Sequence, residues 1–319
     1  MPDSIDVLLV AEMAPLVDRR VATSYRLHRA APGDTIPADI AGRIRAVFSG
    51  GSSPDALLVQ LPKLEIVASA SVGYDGIGLK TCVARKIPIT TTPAVLNDDV
   101  ADLAIALMLM TSRKLAACDR FIREGKWLTA NFPMTHRVSR KRLGIVGLGR
   151  IGRALATRAE AMGMSIAYHN RRPAEGTSYR YFPKLLDLAR ESDFLVVILA
   201  AGPDATGIVN REVMEALGPD GILVNISRGQ VVDEIALIAL LQEGKLGGAG
   251  LDVFVDEPRV PAELMAMDNV VLLPHIGSRT IETRTDMGML ALDNLDAWFA
   301  GKPLLTEVPE TQAARRVAK

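Results

Sequence analysis

Cysteine is scarce in this chain: 2 residues among 319, Cys82 and Cys118. One pair builds no disulfide framework, and the two lack metal-ligand spacing, so a reducing, cytoplasmic setting without a bound metal is expected. Net charge is missing as well, because 37 Lys and Arg balance 37 Asp and Glu. That leaves no long-range field to attract nucleic acid or an anionic membrane surface. Long apolar runs are absent too. The longest, Leu103 to Met110, is bounded by Asp102 and Arg113 and is far short of the ~20 residues that cross a bilayer. The run Ile5 to Val10 is too short, and too acidic at its flank, for a signal peptide and reads as a first strand. No repeat or low-complexity segment occurs.

What is present suits a globular protein: 49% hydrophobic and 23% charged residues, in a chain long enough for two cores. Near its midpoint stands Gly147-Leu148-Gly149-Arg150-Ile151-Gly152. The strand-like Leu143-Gly144-Ile145-Val146 leads in, and a helical pattern from Ile151 to Met162 leads out. That context turns a common glycine pattern into a dinucleotide fingerprint, with phosphates held on the N–H groups at the helix start.

Short β-rich runs precede it, at Asp6–Val10, Ala46–Ser49, Ile66–Ala70 and Ile87–Thr90. Others follow at Ser165–Tyr168, Phe194–Leu199, Ile222–Ile226, Gly248–Asp252 and Val270–Leu272, with a helix-like stretch at Ile235–Glu243. Alternation of this kind predicts parallel sheets covered by helices. Asn97-Asp98-Asp99 is expected to cap one long helix over Val100–Glu124, apolar nearly all round and so buried between domains or subunits. A last amphipathic helix, Met287 to Phe299, follows a doubly wound dinucleotide domain of about residues 99–285, and the polar tail from Glu310 is expected to fray.

The second strand of that domain ends His169-Asn170-Arg171-Arg172-Pro173. A nucleotide without a 2′-phosphate calls for a carboxylate here, and there is none. Arg171 and Arg172 suit a phosphate instead, which selects NADP(H) over NAD(H).

Three motifs lie at or just beyond later strand ends: Asn225-Ile226-Ser227-Arg228-Gly229, Leu251-Asp252-Val253-Phe254 with Asp256-Glu257-Pro258, and Pro274-His275-Ile276-Gly277-Ser278. Hydride transfer to a carbonyl develops negative charge on oxygen, which needs a stabilising cation and a proton. Arg228 is a permanent cation able to orient a carbonyl and a carboxylate. His275 is of the side-chain type best matched to proton transfer near neutral pH, and Glu257 nearby favours an imidazolium. His28, His136 and His169 carry no such context.

Jointly these motifs resemble the D-isomer-specific 2-hydroxyacid dehydrogenases, over essentially the whole chain. The resemblance implies two doubly wound α/β domains: a Rossmann cofactor domain, residues 99–285, inserted into a flavodoxin-like substrate domain of residues 1–98 plus 286–319. It implies Arg228, Glu257 and His275 as the catalytic set, and the N–H groups of Val72 and Gly73, in Ser71-Val72-Gly73-Tyr74-Asp75, as holders of the substrate carboxylate alongside Arg228 and His275. It assigns Leu148, Gly149, Arg150 and Ile151 to the pyrophosphate and Asn170, Arg171 and Arg172 to the 2′-phosphoribose. Ile226, Ser227, Arg228 and Asp252 line the nicotinamide side, with Asp252 open to a second role as a strand-end cap.

The segments Thr92 to Ala104, Gly247 to Phe254 and Pro303 to Thr306 are similar to the glyoxylate/hydroxypyruvate and hydroxyphenylpyruvate reductase branch. Small 2-oxo acids are the substrates implied, with aryl-2-oxo acids as the alternative and a dinucleotide-sensing binding protein as a remote one. Formate is disfavoured, because Glu257 stands where formate dehydrogenases carry Gln. The family is dimeric, and members of the branch lend a bulky residue to the partner's site; Trp127, Phe132 and Met134 lie in the relevant stretch.

Overall fold

Several of the apolar runs do not alternate with polar residues, the pattern of strands covered on both faces. In the computed structural model, which describes residues 5–200 and 202–316, the runs DVLL, AVFS, IVAS, FLVV and ILVN are each buried along their whole length. The chain divides into two units, one running to Leu96 and resuming at Ser278, the other spanning Asn97–Gly277.

The first unit begins β1 (Asp6–Leu9), α1 (Pro15–Ser24), β2 (Arg26–Arg29), α2 (Ala38–Ala41), β3 (Ala46–Ser49), β4 (Ser52–Ser53) and α3 (Asp55–Leu58). It continues β5 (Ile66–Ser69), β6 (Gly76–Ile77), α4 (Leu79–Ala84) and β7 (Ile89–Thr90). Its sheet runs β2-β1-β3-β5-β7, every pairing parallel. That is the flavodoxin order.

The second unit holds α5 (Asn97–Ser112), α6 (Leu115–Arg123), β8 (Arg142–Val146), α7 (Arg150–Ala161), β9 (Ser165–His169), β10 (Arg180–Tyr181) and α8 (Leu185–Arg190). Next come β11 (Phe194–Val197), α9 (Arg211–Leu217), β12 (Ile222–Asn225), α10 (Glu234–Gln242), β13 (Gly248–Leu251), α11 (Ala262–Met265) and β14 (Val270–Leu272). Its parallel sheet runs β10-β9-β8-β11-β12-β13-β14, the dinucleotide-fold order with one strand added. Finally α12 (Ile281–Phe299) and α13 (Pro309–Arg316) return to the first unit.

The structure departs from the sequence expectations at several places. The single helix over 100–124 is two, broken where Lys114 takes a left-handed conformation (φ 49°). α5 buries Val100, Ala104, Leu107 and Met108, whereas α6 has no fully buried residue. Residues 310–316 of the tail do not fray, and 317–319 lie outside the described residues: Pro309 opens a helix whose Thr311 is fully buried and accepts from the Ile89 N–H at 3.3 Å, while Arg315 pairs with Glu307 at 3.1 Å. Composition marked this tail as polar, but the strand residue that anchors it, Ile89, lies 222 residues away from Thr311. α12 starts at Ile281 because the Thr280 hydroxyl caps it, so the second crossing between units falls at Gly277/Ser278 rather than at 285/286. Four short strands, β2, β4, β6 and β10, carry no apolar run and were invisible to pattern.

Candidate functional site

The fingerprint turn is built by close approach. Gly147 sits at φ 107°, and a Cβ there would lie 2.6 Å from the Ile198 carbonyl oxygen. A Cβ on Gly152 would lie 2.4 Å from the Gly147 carbonyl oxygen, so helix α7 packs against its own strand only with glycine. Around Gly149 there is open space, with no atom within 4 Å of where a Cβ would stand. Gly149 precedes α7, whose first-turn N–H groups lack intrahelical partners and point toward that space. The Leu148 N–H is already taken, donating to Asn170 Oδ1 at 2.7 Å. Asn170 therefore ties the end of β9 to the fingerprint turn, in addition to the ribose role expected of it. Arg171 and Arg172 are exposed, with Arg171 3.8 Å from Asp204 in a loose surface pair. An anionic nucleotide fits this donor set: free helix N–H groups, an open glycine and two guanidiniums.

Three neighbouring strands, β12, β13 and β14, deliver the remaining residues from their C-terminal ends, the edge where open α/β sheets bind ligands. After β12, Asn225 (1% exposed) organises the turn. Its Oδ1 accepts from the Ser227 N–H at 3.1 Å and hydroxyl at 2.9 Å, and its Nδ2 donates to the Arg228 carbonyl at 3.0 Å. Ile226 and Ser227 are buried by this arrangement, while Arg228 stays half-exposed, donating to the Ser227 carbonyl at 2.8 Å. The next residue has no room for a side chain, since a Cβ on Gly229 would lie 2.0 Å from the Phe254 carbonyl carbon. Thus the Arg228 turn lies directly on the loop after β13. Asn225 was missed from sequence; a lone polar residue ending an apolar strand was its only signal.

That second loop carries Glu257. Its Oε1 accepts from the Phe254 N–H at 3.1 Å, which aims Oε2 at His275 Nδ1, 2.8 Å away. His275 follows β14 in a left-handed conformation (φ 52°) that side chains disfavour. Asp252 holds it there. The Asp252 carbonyl accepts from the His275 N–H at 2.9 Å, Oδ1 from Ile276 at 2.7 Å and Oδ2 from Gly277 at 2.9 Å. Burial raises the Asp252 carboxyl above the usual range, opposed by the two N–H donors and by His275. Both of its oxygens are engaged, so the structure displays the capping role for which the sequence left room.

In the first unit, Val72 and Gly73 lie on the loop after β5, and their N–H groups have no hydrogen-bond partner among the described residues. Tyr74 beside them donates to Glu310 of α13 at 3.2 Å. Burial and that carboxylate raise its phenol. Elsewhere, the Cys82 thiol is buried and pushed up to about 12, so it is no nucleophile. Among the described residues no cluster of His, Cys, Asp or Glu could hold a metal ion, and no helix is long and apolar enough to cross a membrane.

A dinucleotide turn feeding an arginine and a carboxylate-bound histidine is the apparatus of the nicotinamide-dependent dehydrogenases. Comparison with known proteins narrows this class. Residues 105–277 match the model of the D-isomer specific 2-hydroxyacid dehydrogenase NAD-binding domain, and the chain belongs to that family. It is 47% identical over 312 residues to a hydroxyphenylpyruvate reductase of Plectranthus scutellarioides, covering 96% of this chain and 99% of that one. It is also 47% identical over 311 residues to a glyoxylate/hydroxypyruvate reductase of Arabidopsis thaliana, with the same coverage of each. A solved NADPH-dependent glyoxylate/hydroxypyruvate reductase of Sinorhizobium meliloti, in complex with NADP and malonate, superposes with a TM-score of 0.92 at 41% identity over 97% of this chain and 98% of that one.

Proposed function

We propose that this chain is an NADPH-dependent reductase of small 2-oxo acids, converting glyoxylate to glycolate and hydroxypyruvate to D-glycerate. The observation that carries the reading is the Glu257–His275 pair. With Nδ1 donating to Glu257 at 2.8 Å, the opposite nitrogen, Nε2, can carry the proton destined for the substrate's carbonyl oxygen. Arg228 stabilises the charge developing there. The N–H groups of Val72 and Gly73 receive the substrate carboxylate. Bound NADPH supplies the hydride. Its pyrophosphate is assigned to the turn of Leu148, Gly149, Arg150 and Ile151, its 2′-phosphate to Arg171 and Arg172 with Asn170 at the ribose, and its nicotinamide to the surface of Ile226, Ser227 and Asp252.

The Plectranthus relative favours one alternative, an aryl-2-oxo acid such as hydroxyphenylpyruvate. The deciding experiment is kcat/KM for NADPH and for NADH with hydroxypyruvate, and with hydroxyphenylpyruvate in parallel. A preference for NADPH of tenfold or more, about 1.4 kcal/mol, is expected, and it should collapse in an Arg171→Ala/Arg172→Ala variant. Equal losses with both nucleotides would remove the 2′-phosphate assignment, and no turnover of either acid would overturn the function.

We further propose a homodimer in the cytoplasm. The location rests on two unpaired cysteines in a protein of this enzyme class. The dimer rests on exposed apolar residues of α6 and the following arm: Ile122 is 56%, Trp127 66%, Leu128 90% and Met134 100% exposed. Beside α6 lies a cavity of about 510 Å³ lined by Met110, Ala117, Arg120, Leu264 and Met265. Trp127→Ser/Leu128→Ser is expected to shift the mass in light scattering from two chains to one; an unchanged mass would refute the arm as the interface.

A further inference from the structure

An exposed loop binds a carboxylate well only if its N–H groups are already aimed, so something behind the loop must hold it. Two serines do this after β5. The Ser71 hydroxyl donates to the Gly73 carbonyl at 2.7 Å, which leaves its oxygen to accept from the Ser69 hydroxyl, also at 2.7 Å. Ser69 is fully buried at the end of β5, so the relay is rooted in the sheet. The ring closed between Ser71 Oγ and the Gly73 oxygen contains the backbone nitrogens of both Val72 and Gly73. Closing it restricts the soft torsions that set where those two N–H groups point.

A second tie acts on the same peptide unit. The Ser71 carbonyl accepts from the Thr92 N–H at 2.8 Å. Across a planar trans peptide the Val72 N–H therefore points away from Thr92. The neighbouring loop leaves the relay its space: Gly51 sits at φ 116°, and a Cβ there would come within 3.2 Å of the Ser71 hydroxyl oxygen.

We propose that Ser69 and Ser71 are positioning residues for the substrate carboxylate, acting through the Val72 and Gly73 N–H groups without touching substrate or cofactor. This rests on the carboxylate-binding reading of the loop given above. Ser71→Ala is expected to raise KM for hydroxypyruvate about tenfold, the scale of one hydrogen bond, with kcat and the KM for NADPH within twofold. Ser69→Ala, which leaves Ser71 its bond to Gly73, should produce a smaller rise. Because Ser69 acts through Ser71, the double variant should be no worse than Ser71→Ala alone.

Oxamate, a carboxylate probe that is not reduced, gives a readout apart from turnover. Calorimetric titration into the NADPH-loaded enzyme should show binding about tenfold weaker in Ser71→Ala. Equal oxamate affinity in wild type and variant would overturn the proposal while leaving the carboxylate loop intact. Parallel losses of oxamate binding, NADPH binding and Tm, or strictly additive effects of the two alanines, would reduce the serines to general structure. Failure of the wild type to bind oxamate, despite turnover of hydroxypyruvate, would overturn the loop reading and this proposal with it.

Discussion

His275 shows how much of the site is decided by single residues. Its left-handed backbone costs of the order of 1 kcal/mol, and Asp252 offsets this with three hydrogen bonds to consecutive N–H groups. His275→Gln keeps the fold and removes the proton, so kcat should fall by about 10²- to 10⁴-fold with NADPH affinity unchanged by fluorescence titration. Near-native turnover would exclude His275 as the donor. Asp252→Asn places an amide donor against an N–H, and kcat should fall at least about tenfold, with NADPH affinity falling less. A tenfold loss of NADPH affinity with kcat retained would instead make nicotinamide contact its main role. The placement of Arg228, Glu257 and His275 after strand ends was legible in the sequence, as was the nearness of Glu257 to His275, because the residue types and the strand pattern coincide. The clamps were less so: capping by Asp252 was one of two roles left open, Asn225 acts through short-range geometry that spacing does not encode, and the Asn170–Leu148 bond joins residues from two separate turns.

Elements were legible where their burial is uniform and illegible where partners are distant. The inner strands betray themselves by unbroken apolar runs, whereas the polar edge strand β2 and the two-residue strands β4, β6 and β10 depend on a neighbour already in place. α13 is the clearest failure of composition, since it forms on what Thr311 and Arg315 meet rather than on what the segment contains. Thr311→Val should remove the acceptor for the Ile89 N–H and cost about 1–3 kcal/mol, read as a fall in Tm. An unchanged Tm would show that α13 contributes no such anchor. Arg142 and Asp193 tie the starts of β8 and β11 at 3.0 Å. Burial pushes the Asp193 carboxyl up, but the Arg142 side chain and backbone N–H together win and hold it below the usual range. A depressed carboxyl contributes stability that is present above its unfolded value, near pH 4, and is lost as pH falls through the folded one. Melting curves of wild type and Asp193→Asn should therefore differ at neutral pH and converge in acid; a gap that persists in acid would mean the ion pair is not its source.

At the scale of the whole molecule, the first unit is written in two pieces. α12 buries Met287, Ala291, Leu292 and Leu295, and Asn294, itself fully buried, accepts from the N–H groups of Leu305 and Thr306. Val308 enters the core formed by β1, β3 and β5, and Thr90 pairs with Glu307. A fragment of residues 1–96 should therefore lack cooperative melting, while residues 97–277 should fold alone and bind NADPH. A sharp transition in the 1–96 fragment would contradict this. The division also sets an order of events on the ribosome. Residues 1–96 leave the exit tunnel first, yet they cannot close their core until residues 278–316 have emerged behind the entire second unit. At about 5–20 residues per second, residues 1–96 wait on the order of ten seconds or more with their apolar strands uncovered. The second unit has no such wait, so a segment made after it completes a unit begun before it.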